Sequence, residues 1–594
     1  MGSQTNPLID DELVDFLLYS VLDAESLCDL DPYRQHSKET FDMYIESVRR
    51  FARQDLLPSY KPMDEAPPVF RDGRIQTHES LSGLYDAMVE LGVLTATRPE
   101  SVGGQQMPLL VHTLASAYLM AANLSAYGFI GLTHGAAHLI EAFGSDALKE
   151  RFMTKMYAGE WTGTMALTEP HAGSSLGDIT STAMPTDDDY YLIKGSKIFI
   201  SGADHQINEN VVNLTLARIE GAPEGTKGIS LFAIPRMREE DGRLVSNDVT
   251  VAGLIHKIGW KGLPSVALEF GDEGDCRGWL VGEPNQGLRY MFQMMNEARI
   301  MVGVNATATA AAAYYESLAY ALERRQGREL GTRGGEMVPI VRHADVRRML
   351  LRQKTIVEGS LALLATVSRY ADVAAHGPSA EARERAGMLL DLLTPVAKTF
   401  PAEKGFEATT LAIQILGGYG YTSEYLPEAY MRDQKLNTLH EGTSGIQSMD
   451  LLGRKVMSKG GAPLRALAEE IAATINRARE AGCDESLCSE LERAVGEVGK
   501  LTMELAQRGM TGDADAMLGH SWDYLDLFST LVIAWQWLNM AAAAKNDSLS
   551  DDRKNAIEAA TRYWIRTELP RIDVLAELCR TNEGSYLEAQ PSWF

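Results

Sequence analysis

Apolar positions recur at helical spacing over the first quarter of the chain. Tyr44, Ile45, Val48, Phe51 and Leu56 mark a helix from Phe41 to Leu57, which Pro58 is expected to stop. Leu84, Met88 and Leu91 continue the pattern until Gly92 and the run Pro99 to Gly104 break it, and a longer helical stretch covers Leu109 to Ala158, with Gly144 between two helices. The region is predicted to be all-helical. After Gly159 the period changes. Tyr190 to Ser201, Val211 to Arg218, Gly228 to Pro235 and Val266 to Phe270 are short β-rich runs separated by Gly, Pro and Asp, which predicts a compact barrel or sandwich. The helical pattern returns from Met291 to about Lys455, with Ala306 to Ala313 marking a close helix–helix face. Another helical block follows Met457, interrupted near Gly482 and Gly512. The expected division is an N-terminal extension (1–40), a helical domain (41–158), a β-domain (159–285), a helical bundle (286–456) and an additional helical domain (457–594).

Length agrees with several units: 594 residues exceed what one core supports. Charge narrows the partners. With 56 basic and 81 acidic residues the formal net charge is -25, so nucleic acid and anionic membrane surfaces would be repelled by the chain as a whole. Cys28, Cys276, Cys483, Cys488 and Cys579 form neither a metal-type pairing nor an even disulfide framework, which fits a reducing compartment. The acidic N-terminus shows neither a secretory signal nor an Arg-rich transit peptide, and Leu13 to Leu22 is too short to span a bilayer. A soluble, cytoplasmic enzyme without an integral membrane segment is expected.

Candidate chemistry concentrates in a few segments. Gln414-Ile-Leu-Gly-Gly-Tyr-Gly-Tyr421 is a glycine-rich turn whose backbone N–H groups can approach a planar or phosphorylated ligand closely. Downstream, His440-Glu-Gly-Thr-Ser-Gly-Ile-Gln447 places Glu441 on a tight loop at a helix entry, where a carboxylate can project into a pocket and take a proton. Met165-Ala-Leu-Thr-Glu-Pro-His-Ala-Gly-Ser-Ser175, Lys197-Ile-Phe-Ile-Ser-Gly202, Met294-Met-Asn-Glu-Ala-Arg299 and Glu323-Arg-Arg-Gln-Gly-Arg328 complete the set. His134 and His138 stand one helical turn apart and could ligate a metal, but no third ligand lies near them in sequence, so packing or capping is expected and no metal is assigned.

In order and spacing, these segments resemble the acyl-CoA dehydrogenase family. The extension, the tail and the run Asp450 to Val456 resemble its longer bacterial branch, which includes 3-methylmercaptopropionyl-CoA dehydrogenase-like enzymes. The resemblance implies a mostly α fold with a β insert: an N-terminal helical domain, a middle β-barrel and a C-terminal four-helix bundle, here with an extra C-terminal helical domain. It implies FAD as cofactor and Glu441 as catalytic base. Met165, Leu167, Thr168, Gly173 and Ser174 would contact the flavin and its pyrophosphate, Phe199 would stack on the ring, and Ser201 would bond near flavin N5. Arg324, Gln414, Gly417, Gly418 and Thr443 would complete FAD binding, Arg324 reaching the pyrophosphate of a neighbouring subunit. Ser174, Asn296, Arg299, His440, Gly442 and Arg454 would meet the acyl-CoA substrate. His171 and Ser175 depart from the family's usual glycine and aspartate.

The implied reaction is α,β-dehydrogenation of an acyl-CoA to the trans-2-enoyl-CoA, with electrons passed to an electron transfer flavoprotein, in a homodimer. The same fold also hosts acyl-CoA oxidases, flavin monooxygenases that lack the glutamate, and DNA-protective members. Glu441 argues against the last two, and the acidic charge argues further against a DNA binder; an acyl-CoA oxidase using oxygen, or a non-catalytic flavin-binding or DNA-protective member of the fold, is the alternative.

Overall fold

The computed structural model describes residues 6–331 and 334–594, with the backbone alone at 292–295. Met1–Thr5, part of the N-terminus read above, lie outside the described residues. The chain forms two compact units, one of Met1–Asp42, Pro108–Ala117 and Arg299–Phe594, the other of Met43–Met107 and Tyr118–Ala298.

The second unit joins the helical segment and the β-domain through one core. Ala136, Leu139 and Ile140 of the helix Leu109–Phe143, with Phe152, Met156 and Trp161 after it, pack against Val212, Leu214, Leu231 and Ala233 of the sheet. The two segments could not bury these faces separately, which is why they share a unit. Eight strands make the sheet, in the order Val249–Leu254, Ser265–Phe270, Tyr191–Ser201, Arg277–Leu280, Ile229–Pro235, Val211–Ile219 and Thr162–Ala166, with Thr182–Pro185 pairing both Tyr191–Ser201 and Val211–Ile219. Most neighbours run antiparallel, but Thr162–Ala166 and Thr182–Pro185 run parallel to Val211–Ile219.

Three expectations need correcting. The first helical region is not all-helical, because Val69–Arg71 and Arg74–Gln76 form a hairpin whose turn uses Asp72 and Gly73 at positive φ. Pro58 does not stop its helix. A π-helical turn, Ala52–Leu56, precedes it, and Pro58 then occupies the first turn of Leu57–Glu65, where its missing N–H costs nothing. Within Leu109–Phe143 the backbone leaves helical angles at Asn123, whose Oδ1 accepts from Ala126 N–H at 3.1 Å and restarts the helix as a cap would.

The first unit holds the long helices Ala344–His376 and Ala380–Leu416, the residues of Gly287–Glu323 from Arg299 onward, and the C-terminal block. Ala306 to Ala313 are buried, as expected of a close face. At Gly303 a Cβ would stand 2.1 Å from the carbonyl oxygen of Ala397, and that carbonyl's helical partner is missing because Pro401 has no N–H. Close approach and proline therefore meet at one point. Gly482 and Gly512 separate the C-terminal helices with positive φ, as predicted. That block is bound to the bundle by Arg352, which pairs with Glu407 at 2.7 Å and Glu568 at 2.8 Å and lies over the Trp564 ring. Trp537 Nε1 donates to Thr355 O at 3.1 Å. The extension joins the same unit: Asn6 donates to Ala312 O at 2.9 Å, and Arg553 binds Asp10.

Two helices, Leu109–Phe143 and Ala514–Asn546, are long and apolar enough to cross a membrane; their apolar windows are 94% and 89% buried inside the protein, the environment of core helices.

Gly359 sits where the C-terminal block meets the bundle, and a Cβ there would lie 2.8 Å from Trp537 Nε1 and 2.9 Å from Ile533 Cγ2. Gly359→Val is expected to destabilise the protein by about 1–3 kcal/mol through overpacking. Urea unfolding checks this; an unchanged or higher midpoint would contradict the packing described.

Candidate active site

In the second unit, the segment from Met165 to Ser175 leaves the strand Thr162–Ala166 and is tied to the strand Tyr191–Ser201. Ile198 N–H donates to Thr168 O at 2.9 Å, and Thr164 Oγ1 donates to Ser201 O at 2.6 Å. Buried beneath is Glu169. Its carboxylate accepts from Thr180 N–H and Oγ1, from Ser181 N–H and Oγ, and from Lys197 Nζ at 2.8 Å, while Lys197 also donates to Leu167 O at 3.1 Å. Burial works to raise the Glu169 pKa, but Lys197 and Ser181 outweigh it and hold it at about 2. The result is a fixed stretch of backbone with Met165, Leu167 and Thr168 half-buried and Gly173 and Ser174 exposed. His171, at the departure from the family pattern, is exposed and lies 3.2 Å from Asp178 O through Nε2.

Phe199 occupies a bulge. Val266 pairs with Ile200 and Leu268 with Lys197, so Ile198 and Phe199 oppose Ala267 alone. Phe199 takes φ 62°, and its residue is 61% exposed despite lying on an interior strand. An aromatic ring left out of the core by a strained backbone fits a planar ligand better than it fits packing.

In the first unit, a tight loop carries Glu441 at φ 54° and Gly442 at φ 87°. A Cβ at Gly442 would meet Gln447 Nε2 at 2.6 Å, and that amide donates to Glu441 O at 3.2 Å. Thr443 caps the helix Ser444–Asp450 by accepting from Ile446 N–H. The loop is thereby held from both sides, while the Glu441 carboxylate and N–H make no hydrogen bond among the described residues. Burial raises the Glu441 pKa above its ordinary value of 4.5, opposed by Arg299 and Lys398. Lys398 donates to Asn437 O at 2.7 Å, and burial pushes its pKa down to about 8. His440 Nδ1 lies 2.9 Å from Leu436 O, and burial, with Lys398 adding to it, brings the ring's pKa to about 4, so it is neutral at pH 7. Because the carbonyl only accepts, Nδ1 carries the proton.

Arg299, expected to meet the acyl-CoA, is buried. Its buried guanidinium pairs with Asp450 at 3.0 Å, and Asp450 also pairs with Arg454, whose side chain is largely exposed, at 2.9 Å. Asn296, half-buried, lies on the same helix as Arg299.

The glycine-rich turn borders a second feature of this unit, a cleft of 540 Å³ lined by Tyr320, Arg324, Gln326, Gly417, Gly418 and Tyr419. Gly417 has φ 62°, and a Cβ on it or on Gly418 would meet nothing within 4 Å, standing instead in the open cleft. Arg324 forms no ion pair among the described residues. A bare cation beside two glycines fits a phosphorylated ligand such as FAD. Gln414 is exposed and outside this lining; its carbonyl accepts from Gly417 N–H.

Sequence reasoning missed three groups. Glu169 and Lys197 lay inside quoted motifs without a role, and only their coexistence as buried opposite charges reveals one. Lys398 carried a signal, a lysine within the apolar run Leu392 to Phe400. The reading of His134 and His138 also needs correction: Glu297, 159 residues beyond His138, supplies a third potential ligand beside them.

Comparison with known proteins covers nearly the whole chain. Family models described as the N-terminal, middle and C-terminal domains of acyl-CoA dehydrogenase match residues 38–160, 164–272 and 285–456, and one described as acetyl-CoA dehydrogenase C-terminal like matches 467–590. The chain is 37% identical to the 3-methylmercaptopropionyl-CoA dehydrogenase of Ruegeria pomeroyi, over 85% of this chain and 86% of that one. In fold it is similar to Caenorhabditis elegans ACDH-11 in complex with C11-CoA (TM-score 0.77, 20% identity, 96% and 92% of the two chains). It is also similar to an acyl-CoA dehydrogenase of Bacillus anthracis complexed with FAD (TM-score 0.73, 20% identity, 98% and 93%).

The Glu169 cluster makes stability depend on acid pH. Because the folded-state pKa is depressed from 4.5 to about 2, the unfolded chain binds more protons in this window, and the contribution present above pH 4.5 is lost as pH falls toward 2. Urea midpoints measured across that range should fall more steeply for the wild type than for Glu169→Gln; parallel profiles would contradict the assignment.

Proposed function

This chain belongs to the acyl-CoA dehydrogenase family, and on that premise we propose that it oxidises an acyl-CoA thioester to the trans-2-enoyl-CoA, with FAD as its cofactor and an electron transfer flavoprotein as the onward acceptor. The observation that carries the reading is Glu441: a carboxylate on a rigid, left-handed loop, without a hydrogen-bond partner among the described residues and with its pKa raised by burial.

Removing the α-proton of a thioester requires both a base and stabilisation of the developing enolate oxygen. Glu441 supplies the first through its carboxylate. Its own backbone N–H, uncommitted among the described residues, is a donor for the second. A raised pKa brings the base closer to the working pH, so the proton it takes is held more strongly than an ordinary carboxylate would hold it. Lys398 and Arg299 work against that rise and favour the ionised carboxylate. The electron pair of the β C–H bond leaves as hydride, and bound FAD supplies the chemistry that accepts it.

FAD would be held by the backbone around Leu167 and Thr168, by Gly173 and Ser174, by the ring of Phe199 and by Ser201, with Met165 behind them. Arg324, Gly417 and Gly418, together with Gln414 and Thr443, would serve a cofactor carried by a second copy, which makes the proposed assembly a homodimer. Asn296, His440, Gly442 and Arg454 remain proposed acyl-CoA contacts, and Ser174 would serve both ligands. For Arg299 the proposal is indirect, through its pairing with Asp450 and hence Arg454.

Glu441→Gln keeps the loop and its N–H but removes the base. Flavin reduction by acyl-CoA should slow by about 10²–10⁴ or more, with FAD and acyl-CoA binding retained. In the wild type the rate should fall on acidification through a pKa above 4.5, since the base form is lost there. Stopped-flow flavin bleaching reads both; near-normal reduction by the variant would place the base elsewhere.

A further inference from the structure

Apart from the groups already described, the second unit holds a cluster that the proposed reaction does not use. His134 and His138 lie at i and i+4 on the helix Leu109–Phe143, and Glu297 reaches them from the helix Gly287–Glu323. One ring nitrogen from each histidine and one carboxylate oxygen lie within 4.8 Å of one another. Two imidazoles on adjacent turns with a carboxylate from another helix form a donor set suited to zinc and similar divalent ions.

Two details point to a ligand rather than to packing. His138 Nδ1 is buried, has no hydrogen-bond partner, and stands 3.4 Å from Glu297 Oε2. That gap is long for a hydrogen bond between nitrogen and a carboxylate. It equals, however, the edge of a tetrahedron whose ligands are about 2.0–2.1 Å from a central ion, roughly 3.3–3.4 Å. His134 meets the Leu94 carbonyl through Nδ1 at 2.9 Å, which fixes the proton there and leaves the Nε2 lone pair for an ion, the arrangement in which an outer partner orients a ligating imidazole. The nearby Arg98 guanidinium does not cancel the site's charge. It lies 3.6 Å from Glu141, which also accepts from Tyr157 at 2.5 Å, so the neighbouring cation has its own carboxylate and Glu297 keeps a negative charge for the cluster.

We propose that His134, His138 and Glu297 bind a divalent transition-metal cation of the zinc class. The three ligand atoms, all within 4.8 Å of one another, lie close enough to converge on one ion. Three protein ligands leave a fourth position for water, and the ion ties the two helices together within this unit. The proposal is independent of Glu441 and of the FAD contacts, since it uses none of those residues.

The test uses the flavin-containing protein, stripped with a chelator and titrated with Co²⁺ alone. Tetrahedral d–d bands to the red of the flavin absorption should grow to one cobalt per chain and disappear when Zn²⁺ is added. His138→Ala and Glu297→Gln should each weaken Co²⁺ binding by about 100-fold or more, beyond what losing an outer-shell partner costs. Absence of a saturable cobalt spectrum, or variants that titrate like the wild type, overturns the proposal. Should the variants fold poorly, the wild type decides it alone: Zn²⁺ must raise its thermal midpoint in a concentration-dependent way, and no rise overturns the site.

Discussion

A carboxylate that is to act as a base must be withdrawn from water without being neutralised by a direct partner, and much of the first unit is arranged around that constraint. Glu441 sits on a loop whose left-handed backbone is strained for a non-glycine residue, and the strain persists because Gln447, Thr443 and the following helix hold the loop on one side while Leu436 holds His440 on the other. The cations Lys398 and Arg299 act through space. Each is committed elsewhere, Lys398 to the Asn437 carbonyl and Arg299 to Asp450, so they moderate the effect of burial without occupying the carboxylate.

The segment from Met165 to Ser175 in the second unit, where flavin contacts are proposed, solves a related problem with the opposite device. There the buried carboxylate, Glu169, is saturated by five donors, and its function is to hold backbone. Lys197 links it to the Leu167 carbonyl, and the bulge that follows turns Phe199 out of the core. One carboxylate is kept uncommitted and its pKa rises; the other is fully bonded and its pKa falls to about 2. Surroundings, not residue type, separate the two roles.

Much of this was legible in the sequence because the motifs are local. The glycine-rich turn, the Glu441 loop and the segment at Met165 are short runs in which spacing carries the meaning, and the change from helical to strand period at Gly159 located the sheet. Short strands such as Thr162–Ala166 and Thr182–Pro185 were not visible, since Ala, Met, Gly and Pro give little strand signal and pairing with Val211–Ile219 supplies what propensity lacks. Pro58 misled because it falls in the first turn of Leu57–Glu65, directly after a π-helical turn, where a proline is tolerated. Contacts between distant residues were out of reach for the same reason: nothing near His138 announces Glu297, and nothing near Arg299 announces Asp450.

The central claim is that this protein removes an α-proton and a β-hydride from an acyl-CoA. Anaerobic mixing of the FAD-loaded protein with a panel of acyl-CoA thioesters, followed by mass spectrometry of the quenched mixture, tests it most directly. At least one thioester should bleach the flavin and yield the trans-2-enoyl-CoA in an amount equal to the flavin reduced. A flavin left oxidised by every thioester, or bleached without enoyl product, would contradict the account.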